Sequence, residues 1–201
     1  MGELRERKKR ETRERISDIA TALFFERGFD AVTLDEIALA ANVSKMTVFN
    51  YFARKEELIL DREDELKLVP FRTAIRERPA GQSPVDAIRA LVEELGTQKH
   101  PLTRVDEQTA KFWRLVDASP ALRARLRELA DEAAEGLAIE LGGAQPDGRA
   151  RLVAAMIVLT LRTAREEALR LIEHGASAKK ANAAFRALME LGLSAAEALT
   201  A

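Results

Sequence analysis

Residues 33–55 read TLDEIALAANVSKMTVFNYFARK, and this stretch decides the fold. Thr33-Leu34-Asp35-Glu36 has the Ser/Thr-x-x-Glu pattern of a capping box. In that pattern a hydroxyl and a carboxylate each satisfy a backbone N–H at a helix start. The helix it opens is short, with Leu34, Ile37, Ala38 and Ala41 as its inner face. Asn42-Val43 breaks it, and Ser44 is placed to cap a second short helix from Lys45 to Phe52. Val48, Phe49 and Phe52 form that helix's apolar set. Two short helices joined by a tight turn make a helix-turn-helix.

The second helix of such a pair can lie in a DNA major groove with its first residues at the base edges. Its outer set must then be small or polar at the tip. Ser44, Lys45, Met46, Thr47, Asn50 and Tyr51 are that set. Asn50 can pair with adenine, and Met46 and Thr47 can pack on a thymine methyl. Tyr51 and Lys55 lie further along, placed to reach phosphates. Residues 40–55 hold three cations (Lys45, Arg54, Lys55) and no acid.

Upstream, Ile16, Ile19, Ala20, Leu23 and Phe24 recur at helical spacing, predicting a helix from about residue 8 to Arg27. Gly28 stands where a left-handed cap is expected. Residues 10–60 resemble the DNA-binding domain of the TetR family of bacterial repressors. The likeness is carried by Phe24-Phe25-Glu26-Arg27-Gly28-Phe29, Val32-Thr33-Leu34-Asp35-Glu36-Ile37-Ala38, Ala41-Asn42-Val43-Ser44, Thr47-Val48-Phe49-Asn50-Tyr51-Phe52 and Lys55-Glu56-Glu57-Leu58. The resemblance implies phosphate contacts for Thr33, Ser44, Thr47 and Lys55, and base contacts for Lys45, Met46, Thr47 and Asn50. Two residues depart from the family pattern. Phe49 replaces a common Tyr, so no hydroxyl reaches phosphate there, and Met46 stands where Gly is common.

The chain has 201 residues, room for one domain or two small ones. It is 47% hydrophobic, and 32 Lys+Arg nearly cancel 33 Asp+Glu. A net charge of −1 excludes coating nucleic acid by bulk charge, so any DNA contact comes from a local patch. Cysteine is absent, which excludes disulfides and thiolate metal sites, and His100 and His174 stand far apart. No metal or cofactor is expected. The longest apolar run, Leu152–Leu161, is too short to span a bilayer. The first fifteen residues are highly charged with no apolar core behind them, so the expectation is a cytoplasmic protein without membrane contact. No phosphate loop, His-Glu metal pair or nucleophile elbow appears, and no enzyme is expected.

Arg5, Arg7, Lys8, Lys9, Arg10 and Arg13 are interleaved with Glu3, Glu6, Glu11 and Glu14. Two readings fit equally, a solvated helix start with i,i+4 ion pairs or an arm reaching DNA. A fourth helix is expected from Lys55, carrying Leu58, Ile59, Leu66 and Val69, followed by a connector from Pro70 to Pro84. Helices are then expected at 84–98, 103–117, 120–141, 148–174 and 177–199. The fold class is all-α, with about nine helices. Residues 1–60 form a three-helix DNA-binding domain, and residues 61–201 a helical effector-binding and dimerisation domain.

A run apolar on all sides must be buried on all sides, and 152–161 is such a run. Helices 148–174 and 177–199, the latter with Ala181, Ala184, Phe185, Leu188, Leu191 and Ala195, are therefore expected to pair across a homodimer. The resemblance implies an effector pocket within residues 85–175. Thr109, Phe112, Trp113, Met156, Thr160 and Thr163 are its candidates, suiting an apolar or amphipathic small molecule. The resulting expectation is a homodimeric repressor on a near-palindromic operator, released by that effector. Two alternatives differ in class: a DNA-binding protein without small-molecule control, and a helical partner-binding protein.

Overall fold

A computed structural model describes residues 2–61 and 63–199, with side chains described for 5–61 and 64–199. The side chain of Glu3, one of the acids interleaved in the basic run, lies outside these. Ten α-helices and one 3₁₀ turn follow one another, with no strand among the described residues. Contacts group the chain into two units. One holds the residues up to 63 together with 112–125, the other 64–111 together with the residues from 126 onward.

In the first unit, α1 (Gly2–Arg27) starts earlier than its apolar stripe predicts. Its first turns carry the i,i+4 pairs Arg7–Glu11 (3.2 Å) and Arg10–Glu14 (3.7 Å), which extend the helix beyond the buried face. Ile16, Ala20 and Phe24 are fully buried. The buried Ser17 hydroxyl donates to the Leu58 carbonyl at 3.0 Å, fastening α1 to the 3₁₀ turn Lys55–Leu58. Gly28, at φ 84°, ends α1, and Phe29 folds back on Phe24 with ring centroids 4.9 Å apart.

Helices α2 (Leu34–Ala40) and α3 (Lys45–Tyr51) are seven residues each. Helices this short are not stable alone, so caps and packing carry them. The turn between them is a Schellman motif. Asn42 takes the left-handed position at φ 52°, the Val43 N–H bonds the Ala38 carbonyl at 2.9 Å, and the Asn42 N–H bonds that of Leu39 at 3.1 Å. Residues 112–125 belong to this unit, and there the Ser119 hydroxyl donates to Asp30 at 2.8 Å.

The single helix expected from Lys55 to Val69 is instead three pieces: the 3₁₀ turn, α4 (Glu63–Leu66) and α5 (Val69–Arg76). Pro70 accounts for the break before α5. A proline inside a helix removes an N–H and clashes with the carbonyl four residues back, but it fits the first turn of a new helix. Leu68, buried and left-handed at φ 54°, makes the break. The 15-residue connector accordingly shrinks to 77–83, because most of its first half is α5.

The second unit continues with α6 (Pro84–Thr97), the first part of α7 (Glu107–Ala118), most of α8 (Pro120–Gly142), α9 (Gly148–Glu173) and α10 (Ala178–Ala198). Each of α6, α9 and α10 is capped by a side chain: Ser83, Asp147 and Ser177. Helices α9 and α10 form a close hairpin. Val153, Ile157, Leu161 and Ala164 are buried on α9, as are Ala181, Phe185, Met189 and Leu193 on α10. At their contact Gly192 meets Thr160, and a Cβ there would lie 2.1 Å from the Thr160 Oγ1. Arg89 on α6 bridges to Glu190 at 3.0 Å and Glu197 at 3.1 Å on α10.

Candidate nucleic-acid interface

The face of α3 turned to solvent is built from both helices and the turn. Thr33 caps α2 as its pattern requires. Its hydroxyl and its backbone N–H both donate to the Glu36 carboxylate, at 2.7 and 2.8 Å, while the Glu36 N–H donates to Thr33 Oγ1 at 3.3 Å. Arg27 pairs with the same carboxylate at 2.7 Å. The Thr33 hydrogen bonds foremost, helped by Arg27, hold the Glu36 carboxyl at about 2. Ser44 caps α3 by accepting the Thr47 N–H at 3.0 Å, and the two hydroxyls lie 2.8 Å apart. Lys45 reaches back to Asp35 at 2.8 Å, tying the start of α3 to the start of α2.

On this frame α3 buries Val48, with Phe52 buried at its end. Phe49 departs from the expected inner set: it is 45% exposed and stands on the outer face. At about 100° per residue, Val48 and Phe52 one turn apart fill the inner stripe, and Phe49 falls beside it. Met46, 67% exposed, and the exposed Asn50 and Lys45 share the outer side. The outer face therefore combines an amide and an ammonium with two apolar tips.

Two cations of the expected contact region point elsewhere. Lys55 donates to the Phe29 carbonyl at 2.5 Å, with its ammonium 4.3 Å from the Phe29 ring centroid. Desolvation there pushes its pKa below the usual lysine value. In this structure it braces the 3₁₀ turn against the loop after α1. Arg13 lies over the Phe52 ring, 4.2 Å from its centroid, and its guanidinium donates to the Tyr51 carbonyl. A cation at a helix C-terminus satisfies a free carbonyl and complements the dipole. Arg13 thus leaves the basic run and holds the end of α3. No local pattern signals this, because Arg13 and Tyr51 are 38 residues apart. Tyr51 itself is half-buried.

The family described as bacterial regulatory proteins, tetR family, matches residues 16–61. The HTH-type transcriptional regulator TcmR of Streptomyces glaucescens is 34% identical over 132 residues, covering 64% of this chain and 58% of TcmR. Residues 16–61 are thus a tetR-type region. This region also resembles the IcaR negative transcriptional regulator of the biofilm operon icaADBC in Staphylococcus epidermidis. That match is 37% identical over 46 residues, 23% of this chain and 25% of IcaR. The chain thus spans under two thirds of the length of these curated relatives. Two solved structures share the fold. The SmeT–triclosan complex has a TM-score of 0.61 at 21% identity, covering 92% of this chain and 91% of SmeT. A TetR-family regulator from Mesorhizobium loti has a TM-score of 0.54 at 21% identity, covering 93% and 97%.

The six effector candidates divide between the two units. Asp106 caps α7 by accepting the Thr109 N–H at 3.0 Å, and the Thr109 hydroxyl in return accepts the Asp106 N–H at 2.7 Å. Phe112 and Trp113 meet edge to face at 5.0 Å. Both belong to the first unit, whereas Thr109, Met156, Thr160 and Thr163 belong to the second. Thr160 packs against Gly192, Met156 is half-buried and Thr163 is exposed. Among the described residues, no group of three His, Cys, Asp or Glu could hold a metal ion, and no helix is long and apolar enough to cross a membrane.

Proposed function

We propose that this chain is a transcriptional repressor that binds a near-palindromic operator as a homodimer and is released by a small-molecule effector. Residues 1–60 form the DNA-binding domain, and 61–201 the effector and dimerisation domain. The observation that carries this reading is the outer face of α3, where Lys45, Met46, Phe49 and Asn50 stand exposed on a helix capped and braced at both ends. Lys45, Met46, Thr47 and Asn50 read bases, and Thr33, Ser44 and Tyr51 lie along the phosphates. Lys45 exchanges Asp35 for the groove on binding.

Dimerisation is supported by an apolar face that the single chain leaves uncovered. Leu152 and Leu159 on α9 are each 51% exposed, and Leu191 on α10 is 67% exposed. Leu152 and Leu159 lie seven residues apart, on one side of the helix. A two-fold mate brings the same face to cover them. Two recognition helices on such a dimer meet successive major grooves, about 34–36 Å or a multiple apart.

Effector release draws support from SmeT, which shares this fold and is described in complex with triclosan. The effector is apolar or amphipathic, with Thr109, Phe112, Trp113, Met156, Thr160 and Thr163 as its candidate contacts. It weakens operator binding by favouring a conformation with a different spacing of the two recognition helices. Selection of bound duplexes from a random pool tests the core of this function. A recovered palindrome with groove-matched half-sites is the expected result. Enrichment of single half-sites would remove the dimeric operator, and no enrichment would remove DNA recognition altogether.

A further inference from the structure

Helix α3 carries a buried stripe on one side and an apolar pair on the other. Met46 is 67% exposed and Phe49 45% exposed. Side chains three residues apart on a helix are neighbours. Neither closes on the chain's own core, which α3 reaches through Val48 and, at its end, Phe52. Asn50, also exposed, follows Phe49 directly and stands one turn beyond Met46, so its amide borders the pair. In the free chain the polar groups at the start of the helix are engaged with one another. Lys45 holds Asp35 at 2.8 Å, and the Ser44 and Thr47 hydroxyls lie 2.8 Å apart.

The chemistry of the groove selects what such a pair can meet. A major groove presents nitrogen and oxygen atoms at every base pair and a single apolar group, the methyl on C5 of thymine. Phosphates present no apolar group. Phe49 has no polar side-chain atom, and Met46 has only a weakly accepting sulfur. Against a polar base edge the two would strip water without replacing its hydrogen bonds. Against a methyl they bury apolar surface on both partners. Asn50 acts in the same direction, because its amide suits adenine, the base paired with thymine.

We infer that Met46 and Phe49 read the C5-methyl group of a pyrimidine, which makes Phe49 a specificity-determining residue. The inference rests on the proposed binding of DNA through α3. The group recognised is the methyl and not the base. 5-Methylcytosine therefore presents the same feature as thymine, and operator binding responds to cytosine methylation at these positions. The test uses the full chain and the operator recovered by duplex selection. Each thymine is replaced in turn by uracil, which removes the methyl and leaves the hydrogen-bonding edge intact. At the contacted positions affinity should fall about three- to fivefold per methyl, the scale of burying one such group. Met46→Ser and Phe49→Ser should each abolish the thymine–uracil difference at its own position. Both sites are exposed, and unchanged melting curves would certify folded variants. With a C·G pair placed at those positions, 5-methylcytosine should bind tighter than cytosine by the same factor. Equal affinity for thymine and uracil at every position would overturn the inference and leave operator recognition intact. So would a thymine–uracil difference that survives both substitutions together, which would assign the methyl to Thr47, or no gain from 5-methylcytosine. Failure to enrich any duplex would overturn both the inference and the reading it rests on.

Discussion

The helix-turn-helix and the α9–α10 hairpin reach stability by opposite routes. Helices α2 and α3 are seven residues each and bury little of themselves, so side chains do the fastening. Thr33, Ser44, Arg13, Lys45 and Lys55 each tie an end or a turn by a hydrogen bond or an ion pair. Helices α9 and α10, at 26 and 21 residues, hold by apolar packing along their length. The two routes leave different surfaces free. Fastening by caps leaves the outer face of α3 open to polar and apolar tips suited to DNA. Fastening by packing leaves leucines on the far side of the hairpin that only a second surface would cover.

The largest expected effect breaks the hairpin side. Leu159→Glu places a charge on the uncovered face, where it disrupts pairing but not the chain's own core. Sedimentation should show a monomer, and operator affinity should drop about 10²- to 10⁴-fold with the loss of bivalent binding. Persistence of the dimer would move the interface elsewhere. Gly192→Ala attacks the inner side of the same hairpin, forcing Thr160 and α10 apart. Thermal unfolding should register a destabilisation of about 1–3 kcal/mol, the usual cost of overpacking. An unchanged melting temperature would show that the crossing relaxes freely.

On the DNA-binding side the effects are smaller and more selective. Asn50→Ala should relax preference at one base pair per half-site by about 1–3 kcal/mol, measured by competition with substituted operators. A loss equal on all sequences would place Asn50 on the backbone instead. Lys55→Ala sharpens the contrast between brace and contact. It should lower thermal stability while leaving the salt dependence of operator binding unchanged. A salt slope smaller by about one unit would return Lys55 to a phosphate. The smallest effect is a null pH response of the α2 cap. Because the Glu36 carboxyl sits at about 2, its stabilisation is complete above the ordinary carboxylate value and lost only as pH falls through about 2. Replacing Glu36 by Gln should therefore cost the same at pH 7 and pH 5, and a cost that halves over that interval would contradict the assignment.

What could be read without coordinates was local. Thr33, Ser44 and Ser177 cap the helices they precede, and Gly28 ends α1. These signals act within four residues, so spacing alone reveals them. The same holds for the all-helical class, written in helix formers and apolar periodicity. The N-terminal recognition motif is legible for this reason too.

Several features depended on residues far apart, and spacing is silent about them. Phe49 faces out because Val48 and Phe52 already occupy the buried stripe of α3. Arg13 and Lys55 turn inward because Tyr51, Phe52 and Phe29 offer carbonyls and ring faces that the chain brings within reach. Pro70 is both a break and a start, and only the left-handed Leu68 beside it shows which helix it serves. Caps and turns are decided by a few neighbouring dihedrals and hydrogen bonds. Which face is buried and which cation is spent on the interior are decided by the packing of whole helices, and that exists only once the chain has folded.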